Sequence, residues 1–398
     1  MIEPVHLYGD RSCLPLRDSS GLTPDSLSRQ RAETSTLTHK LQSQFTQGSF
    51  RLVSLPMRVG IYLSLLCMTL AGCARPAGPP ASSTQAGCIE NYNARTDYFP
   101  EKTHLEYAEN FAVEYHNSYK VVTVRPPANG GGKERYVLVQ CGAPSPVLSG
   151  DLSKATVISV PIKSLFAAYA THAALLFELG HVEVLSGVAQ TRYITTEPIL
   201  EWIRGGHVIE YAPNDVTDTE LVILKAPSIL MSGGEFPESY NTLRKAGVAV
   251  VANLEWQEPS ALARAEWLKF MALFLNEEKK AREQFDGIRN RYLTLKEGAS
   301  NIAEKDRPRV MTGTVFRGIF EIAGGASYVA RLISDAGGTY VWADNTSAGG
   351  ASIDMELQIS RASNADVWIN GGDWASLKAM LAEDPRYKQF KPFQNGNA

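Results

Sequence analysis

The residues best placed to do chemistry in this chain are a cysteine and the small residues in front of it, Leu70-Ala71-Gly72-Cys73. A thiol at the end of an apolar run is a nucleophile that can accept a lipid, and small residues ahead of it fit a peptidase cleft. Met57-Arg58 and the 12-residue apolar run from Val59 to Leu70 supply the basic start and apolar centre of a secretory signal. The run is too short to span a bilayer, which takes about 20 apolar residues. The four residues match the bacterial lipobox, whose cysteine receives a diacylglycerol and becomes the mature N terminus. The alternative is a short buried apolar segment ahead of a chance cysteine. Arg75 to Ala86, rich in Pro, Ala and Ser, weakens that alternative because it reads as a flexible tether.

Signs of enzymatic chemistry are weak. His172, His181 and His207 show no His-Glu-x-x-His or similar ligand spacing, and His172 sits in an Ala- and Leu-rich stretch. No metal site is expected from them, and no catalytic residue is assigned. The chain has no Gly-x-Ser-x-Gly elbow, Walker loop or Cys-x-x-Cys pair. Asn129-Gly-Gly-Gly-Lys133 has no Gly six residues before the lysine, so it reads as a turn between strands. Of five cysteines, Cys13 and Cys67 precede the expected cut and Cys73 carries the lipid. Cys88 and Cys141 remain, and in an oxidising compartment they read as one disulfide, the alternative being two buried free thiols.

Residues 1–56 are polar, rich in Ser, Thr, Gln and Arg, and without sustained period. A signal must begin the chain to be read, so Met57 is taken as the start and 1–56 as an upstream extension, disordered if translated. The 44% apolar content supports a real core, and a net charge of −3 offers no basic field for nucleic acid.

The elements that must position any site follow. Phe111 to Tyr115, Lys120 to Val124 and Tyr136 to Gln140 read as strands. From Ala155 strands and helices alternate: strand Thr156 to Val160, helix Lys163 to Leu179 closed by Gly180, strand Val182 to Val188, helix Thr196 to Arg204, apolar run Ile229 to Met231, helix Glu238 to Ala246 and strand Val248 to Val251. Such alternation implies a parallel or mixed sheet wrapped by helices. Ala261 to Leu275 and Asn276 to Gly298 are almost continuously helical. A second alternating region follows, with strand Val310 to Val315, helices Tyr328 to Ala336 and Asp354 to Ala362, and strand Val367 to Ile369. The fold class is α/β, with two lobes joined by a long helix and a ligand cleft between them.

Two segments carry a resemblance. One runs Phe236-Pro-Glu-Ser-Tyr240 through Lys245-Ala-Gly-Val-Ala-Val-Val251 to Ala265-Glu-Trp-Leu-Lys-Phe270. The other runs Gly324-Gly-Ala-Ser-Tyr328 through Asp335-Ala-Gly-Gly-Thr-Tyr340 to Ala365-Asp-Val-Trp-Ile369. In order and spacing, from about Val157 to Gly372, the chain resembles the substrate-binding lipoproteins of ABC importers for iron-siderophores, haem and cobalamin. The resemblance implies two lobes that close slightly on a ligand, an ABC permease dimer with its ATPase as partners, and no catalysis. It implies that Glu238 and Glu356, one on each lobe, pair with permease arginines.

Loops after the strands of an α/β sheet carry ligand contacts. They single out Arg192 and Tyr193, Trp256, Phe316 and Arg317, with Tyr328 and Trp342 as weaker additions. Aromatics would stack on a flat macrocycle or catecholate, and arginines would meet an anionic iron complex. The alternative for each aromatic is core packing. The expected ligand is an iron-siderophore or haem, with a corrinoid such as cobalamin second; each would be cargo, with no resident cofactor. Other classes are a metal-dependent enzyme, a receptor for free metal and a non-transport structural lipoprotein.

Two departures stand out: Pro227-Ser-Ile-Leu230 replaces the common Pro-Asp-Leu-Val, and the chain ends at Ala398 before the second lobe is expected to finish. The expected organisation is an extension over 1–56, signal peptide over 57–72, tether over 73–87, N-terminal lobe over 88–275, linking helix over 276–298 and an incomplete C-terminal lobe over 299–398. The mature protein is expected to be exported and lipid-anchored to a bacterial membrane.

Overall fold

The computed structural model describes residues 88–125, 132–316, 319–369 and 376–398. The extension, the signal segment, Cys73 and the tether lie outside the described residues, as do Arg317 and the side chain of Phe316. Among the described residues, no helix is long and apolar enough to cross a membrane.

The first sheet contains β1 (Phe111–Tyr115), β2 (Tyr119–Val124), β3 (Glu134–Gln140) and β4 (Thr156–Val160), in that order. The first two pairings are antiparallel, and β3 with β4 is parallel. The apolar run of β2 is buried on both faces. Val122 and Val124 join the main core with Tyr136, Leu138 and Ile158, while Val121 packs with Val137 and Val139 on the other side. A disulfide joins Cys88 to Cys141 just beyond β3.

Lys120 lies on the core face of β2 and is fully buried. Its ammonium reaches Glu278 at 2.7 Å and Asn276 at 2.9 Å, as a buried charge must find partners.

The second sheet is parallel throughout. Its strands β5 (Leu165–Ala167), β6 (Leu185–Val188), β7 (Ile209–Glu210), β8 (Ile229–Ser232) and β9 (Val250–Ala252) lie in the order β7-β6-β5-β8-β9. Helices α1 (Ala170–Glu178), α2 (Glu197–Arg204), α3 (Thr219–Lys225) and α4 (Glu238–Lys245) connect them. The chain winds outward from β5 one way and then returns to place β8 on its other side. The switch point therefore lies between β5 and β8.

Two sequence expectations are corrected here. The helix expected over Lys163 to Leu179 begins only at Ala170, because Leu165-Phe-Ala167 is the central strand. A short apolar run buried on both faces has no period that separates strand from helix. The strand expected from Val182 starts at Leu185, after a 3-10 turn over Val182–Val184. Helix α3, capped by the Asp218 side chain on Leu221 N–H at 2.9 Å, was not expected.

Helix α5 (Ala261–Leu273) is buried almost all round, and α6 (Glu278–Ser300) runs on from it. In α6 the buried residues are Glu278, Ala281 and Phe285, all in its first half. Its second half meets the next lobe, where Asp335 accepts from Tyr292 at 2.9 Å and pairs with Lys296 at 3.0 Å.

The second lobe contains β10 (Arg309–Thr312), β11 (Thr314–Phe316), β12 (Ile319–Ala323), helix α7 (Tyr328–Asp335), β13 (Thr339–Tyr340), β14 (Gly350–Ile353), helix α8 (Met355–Ala362) and β15 (Val367–Ile369). Short helices α9 (Leu377–Glu383) and α10 (Lys391–Gln394) follow. Strands β13-β10-β15 form a parallel sheet and β11-β12-β14 an antiparallel one. The single strand expected over Val310 to Val315 is thus two strands in two sheets. Gly313 makes the break: its φ is +104°, and a Cβ there would sit 2.1 Å from the Glu321 carbonyl oxygen.

Candidate functional site

A cavity of about 480 Å³ opens at the C-terminal ends of β5, β6, β8 and β9. Each strand delivers part of its wall through the loop that follows. From β5 come Ala168 and Tyr169, then the start of α1 with Thr171 and His172. From β6 come Gln190 and Tyr193, from β8 Glu235, and from β9 Glu255 and Trp256; α5 adds Arg264. Crevices at the switch point of such a sheet are where small ligands bind.

Three large aromatics stand half-exposed around this space: Tyr169 at 50%, Tyr193 at 60% and Trp256 at 50%. Rings left this open are available to stack on a ligand. Trp256 is fixed by its indole N–H, which donates to the Gly233 carbonyl at 2.9 Å. The Tyr169 phenol donates to Glu235 at 3.4 Å. Burial first, then the Glu235 carboxylate, push that phenol up to about 12, so it stays a donor.

Arg264 is neutralised within the wall. Its Nε and Nη2 reach one oxygen of Glu255 at 2.8 and 2.7 Å. Its guanidinium lies over the Tyr328 ring, 4.1 Å from the centroid, so Tyr328 at the start of α7 touches the cavity wall through the arginine.

His172 is 1% exposed. Burial holds its imidazole neutral, pushing it down to about 3, in spite of a hydrogen bond to the Met231 backbone. Its Nδ1 is buried without a hydrogen-bond partner. The unfolded chain binds a proton at this histidine near pH 6.5, and the folded chain does not until about pH 3. Stability must therefore fall as pH drops through that window, by about 1.4 kcal/mol per pH unit. Replacing His172 by Leu is expected to remove this component. The wild-type-minus-variant difference in unfolding free energy, from urea titrations between pH 6 and pH 4, should shrink by about that slope. Parallel pH curves for the two proteins would exclude the assignment.

The residues singled out from sequence are placed unequally. Tyr193 and Trp256 line the cavity, and Tyr328 adjoins it. Arg192 does not line it. Its guanidinium turns to the Pro213 carbonyl at 3.0 Å and to Asp215 at 3.3 Å. Trp342 is corrected outright. It is buried in the second lobe's core at 4% exposure, donates to Gln358 at 2.8 Å and carries Arg361 over its ring. Phe316 lies in β11 and Arg317 outside the described residues. Tyr169, Gln190, Glu235, Glu255 and Arg264 were missed. The loop rule reaches Tyr169 only if Leu165–Ala167 is read as a strand, and that strand's apolar run hid it.

Glu238 and Glu356 sit apart from the cavity lining. Each is on the first turn of its helix, α4 or α8, with side chains 77% and 79% exposed. The three histidines are dispersed: His181 bridges Glu183 at 2.9 Å and Glu277 at 3.0 Å, and His207 stacks on Trp202. Among the described residues no group of three or more His, Cys, Asp or Glu is placed to hold a metal.

Comparison with known proteins adds the following. Residues 166–397 match the family described as periplasmic binding protein. An uncharacterized lipoprotein of Methanocaldococcus jannaschii is 26% identical over 358 residues, covering 85% of this chain and 88% of that protein. A second lipoprotein of the same organism is 24% identical over 372 residues, covering 85% of both chains. Among solved structures, the periplasmic heme binding protein of Vibrio cholerae aligns with a TM-score of 0.47 and 17% identity, covering 59% of this chain and 87% of that one.

Proposed function

This chain belongs to the periplasmic binding protein family, and on that premise we propose that it is the substrate-binding component of an ABC importer. It captures a metal chelate, an iron-siderophore or haem, in the cavity at the switch point of its first lobe. It then delivers that chelate to a permease dimer driven by an ATPase. The observation that carries this reading is the cavity itself, an aromatic-lined space of about 480 Å³ at the strand ends. The ligand is cargo, so the protein needs to hold it and release it and has no bond to break. Anchoring through a lipid on Cys73 would keep the receptor beside its permease, and the run of Pro, Ala and Ser after it would give it reach.

Trp256 supplies the test, since its half-exposed indole is part of the wall. Titration with a panel of chelates (a ferric trihydroxamate, a ferric tricatecholate, haem and a corrinoid) is expected to quench tryptophan fluorescence saturably for at least one. In Trp256→Leu most of that quenching should disappear, and affinity should fall roughly tenfold from lost stacking. A panel in which no chelate binds would overturn the transport reading.

A further inference from the structure

The cavity wall carries one carboxylate, Glu235, that no cation among the described lining residues balances. Four of the wall's side-chain donors are engaged by the protein, while the Tyr193 hydroxyl, which accepts from Arg192, keeps its own hydrogen. The Trp256 indole N–H is held by Gly233, the Arg264 guanidinium by Glu255, and the Tyr169 phenol by Glu235. The Gln190 amide nitrogen donates to the Ala212 carbonyl at 3.2 Å and to Asp215. Both of those partners are acceptors, so the Gln190 amide oxygen is the free end.

The acceptors, by contrast, are open. Glu235 has only the long bond from Tyr169, and the Gln190 oxygen has no hydrogen bond. Charge points the same way. Among the described lining residues, Glu255 and Arg264 cancel, and Glu235 is left as one uncompensated carboxylate. The backbone N–H groups of Ala170 and Thr171 at the start of α1 are the counterweight. A helix N terminus is worth about half a positive charge, less than the carboxylate it opposes.

From this inventory we propose that the cavity selects a chelate that is neutral or cationic and presents N–H donors to Glu235 and Gln190, and that it rejects polyanionic iron complexes. The proposal rests on the cavity being the ligand site. A trianionic catecholate complex brought beside Glu235 meets a like charge in a space from which water is displaced, where Coulomb terms are strong. An ammonium or amide N–H meets the open acceptors instead. Part of the discrimination is thus repulsive, which is how a site separates ligands of similar size. This reverses the preference for an anionic iron complex that Arg192 and Arg317 suggested from sequence.

The test uses two probes of similar bulk, a ferric trihydroxamate bearing a free ammonium group and a ferric tricatecholate trianion. Both are titrated by fluorescence quenching into the wild-type protein, Glu235→Gln and Glu235→Lys. The wild type is expected to bind the cationic probe roughly tenfold tighter or more than the trianion. Glu235→Gln should bring the two affinities together, and Glu235→Lys should favour the trianion. Far-ultraviolet dichroism and melting of the variants, expected to match the wild type, keep a folding defect from imitating the result. A trianion bound as tightly as the cation by the wild type, or a ratio unmoved in Glu235→Gln, overturns the charge assignment and leaves the transport reading standing. If neither probe, nor haem, nor a corrinoid binds, both fall together.

Discussion

Replacing Glu238 and Glu356 together by Ala is expected to stop delivery of the chelate while leaving its capture intact. Neither residue lines the cavity, so the fluorescence titration should give affinities within about twofold of wild type. Both carboxylates are held only loosely by their own protein. Glu238 has Asn241 at 3.3 Å and Lys245 at 3.5 Å, and these contacts, the Asn241 bond first, keep its carboxyl below the usual range. Glu356 has Arg386 at 3.5 Å. A carboxylate this open is charged and free to exchange a weak internal contact for a bidentate arginine on a permease. One such contact on each lobe would set the receptor's orientation over the transport path. Uptake into vesicles carrying the permease and ATPase should therefore fall roughly tenfold or more in the double variant, with each single variant intermediate. ATPase stimulation should fall in parallel. Glu238→Arg with Glu356→Arg should be more severe, since like charges would then meet across the interface. Import at the wild-type rate by the Ala double variant would remove both residues from docking.

Most of the fold was legible in the sequence because its elements carry their own punctuation. The β-branched β2, the Ser260-capped α5, the polar-faced α6 and the glycine after α4 each announce themselves within a few residues. Legibility failed where tertiary context decides. Leu165-Phe-Ala167 is a strand only because it pairs between two parallel neighbours, β6 and β8, and no local pattern says so. Gly313 breaks a strand because its backbone must clear Glu321, a partner known only once β12 folds back.

The site follows the same division. Trp256 and Tyr193 could be reached because they follow strands that were recognised. Glu235 and Tyr169 define the cavity's polarity yet carry no motif. Trp342 looked like a ligand-facing aromatic, but an indole paired with Gln358 in a closed core serves equally well as packing. Type and spacing in the sequence cannot separate the two roles.

The largest stability effect is expected at a residue that no motif marks. Segment 106–110 is irregular, and its backbone N–H groups have no ladder to join. Two buried carboxylates take them instead. Glu266 of α5 accepts from Glu106, from Tyr107 at 2.8 Å and from Ala108 at 2.8 Å, and Glu258 accepts from Glu109 and from Asn110 at 3.0 Å. Glu266 is balanced by the buried Lys269 at 2.7 Å, one turn along the helix. Glu266→Ala therefore removes one acceptor from several donors and deprives a buried ammonium of its counter-ion at once, leaving it the His104 carbonyl at 2.8 Å. Breaking such a buried pair costs about 3–5 kcal/mol, read as a lower urea midpoint. The amides of Glu106 to Ala108 should lose hydrogen-exchange protection before the rest of the sheet does. Glu266→Ala with Lys269→Met should recover part of the loss, because no buried ammonium is then left without a counter-ion.

The effect reaches the cavity by a short route. The chain from Ala252 to Leu273 faces segment 106–110 with Glu258 and Glu266 and faces the cavity with Trp256 and Arg264. The Tyr136 hydroxyl also accepts from the Ala252 N–H at 2.8 Å, tying the first sheet to the end of β9. Segment 106–110 and the first sheet, which lie ahead of residues 166–397, thus hold one wall of the cavity. Chelate affinity in Glu266→Ala should fall even though Glu266 touches no ligand, and it should recover with the double variant. Unchanged exchange at residues 106–108 with unchanged stability would show that Glu266 does not hold the segment.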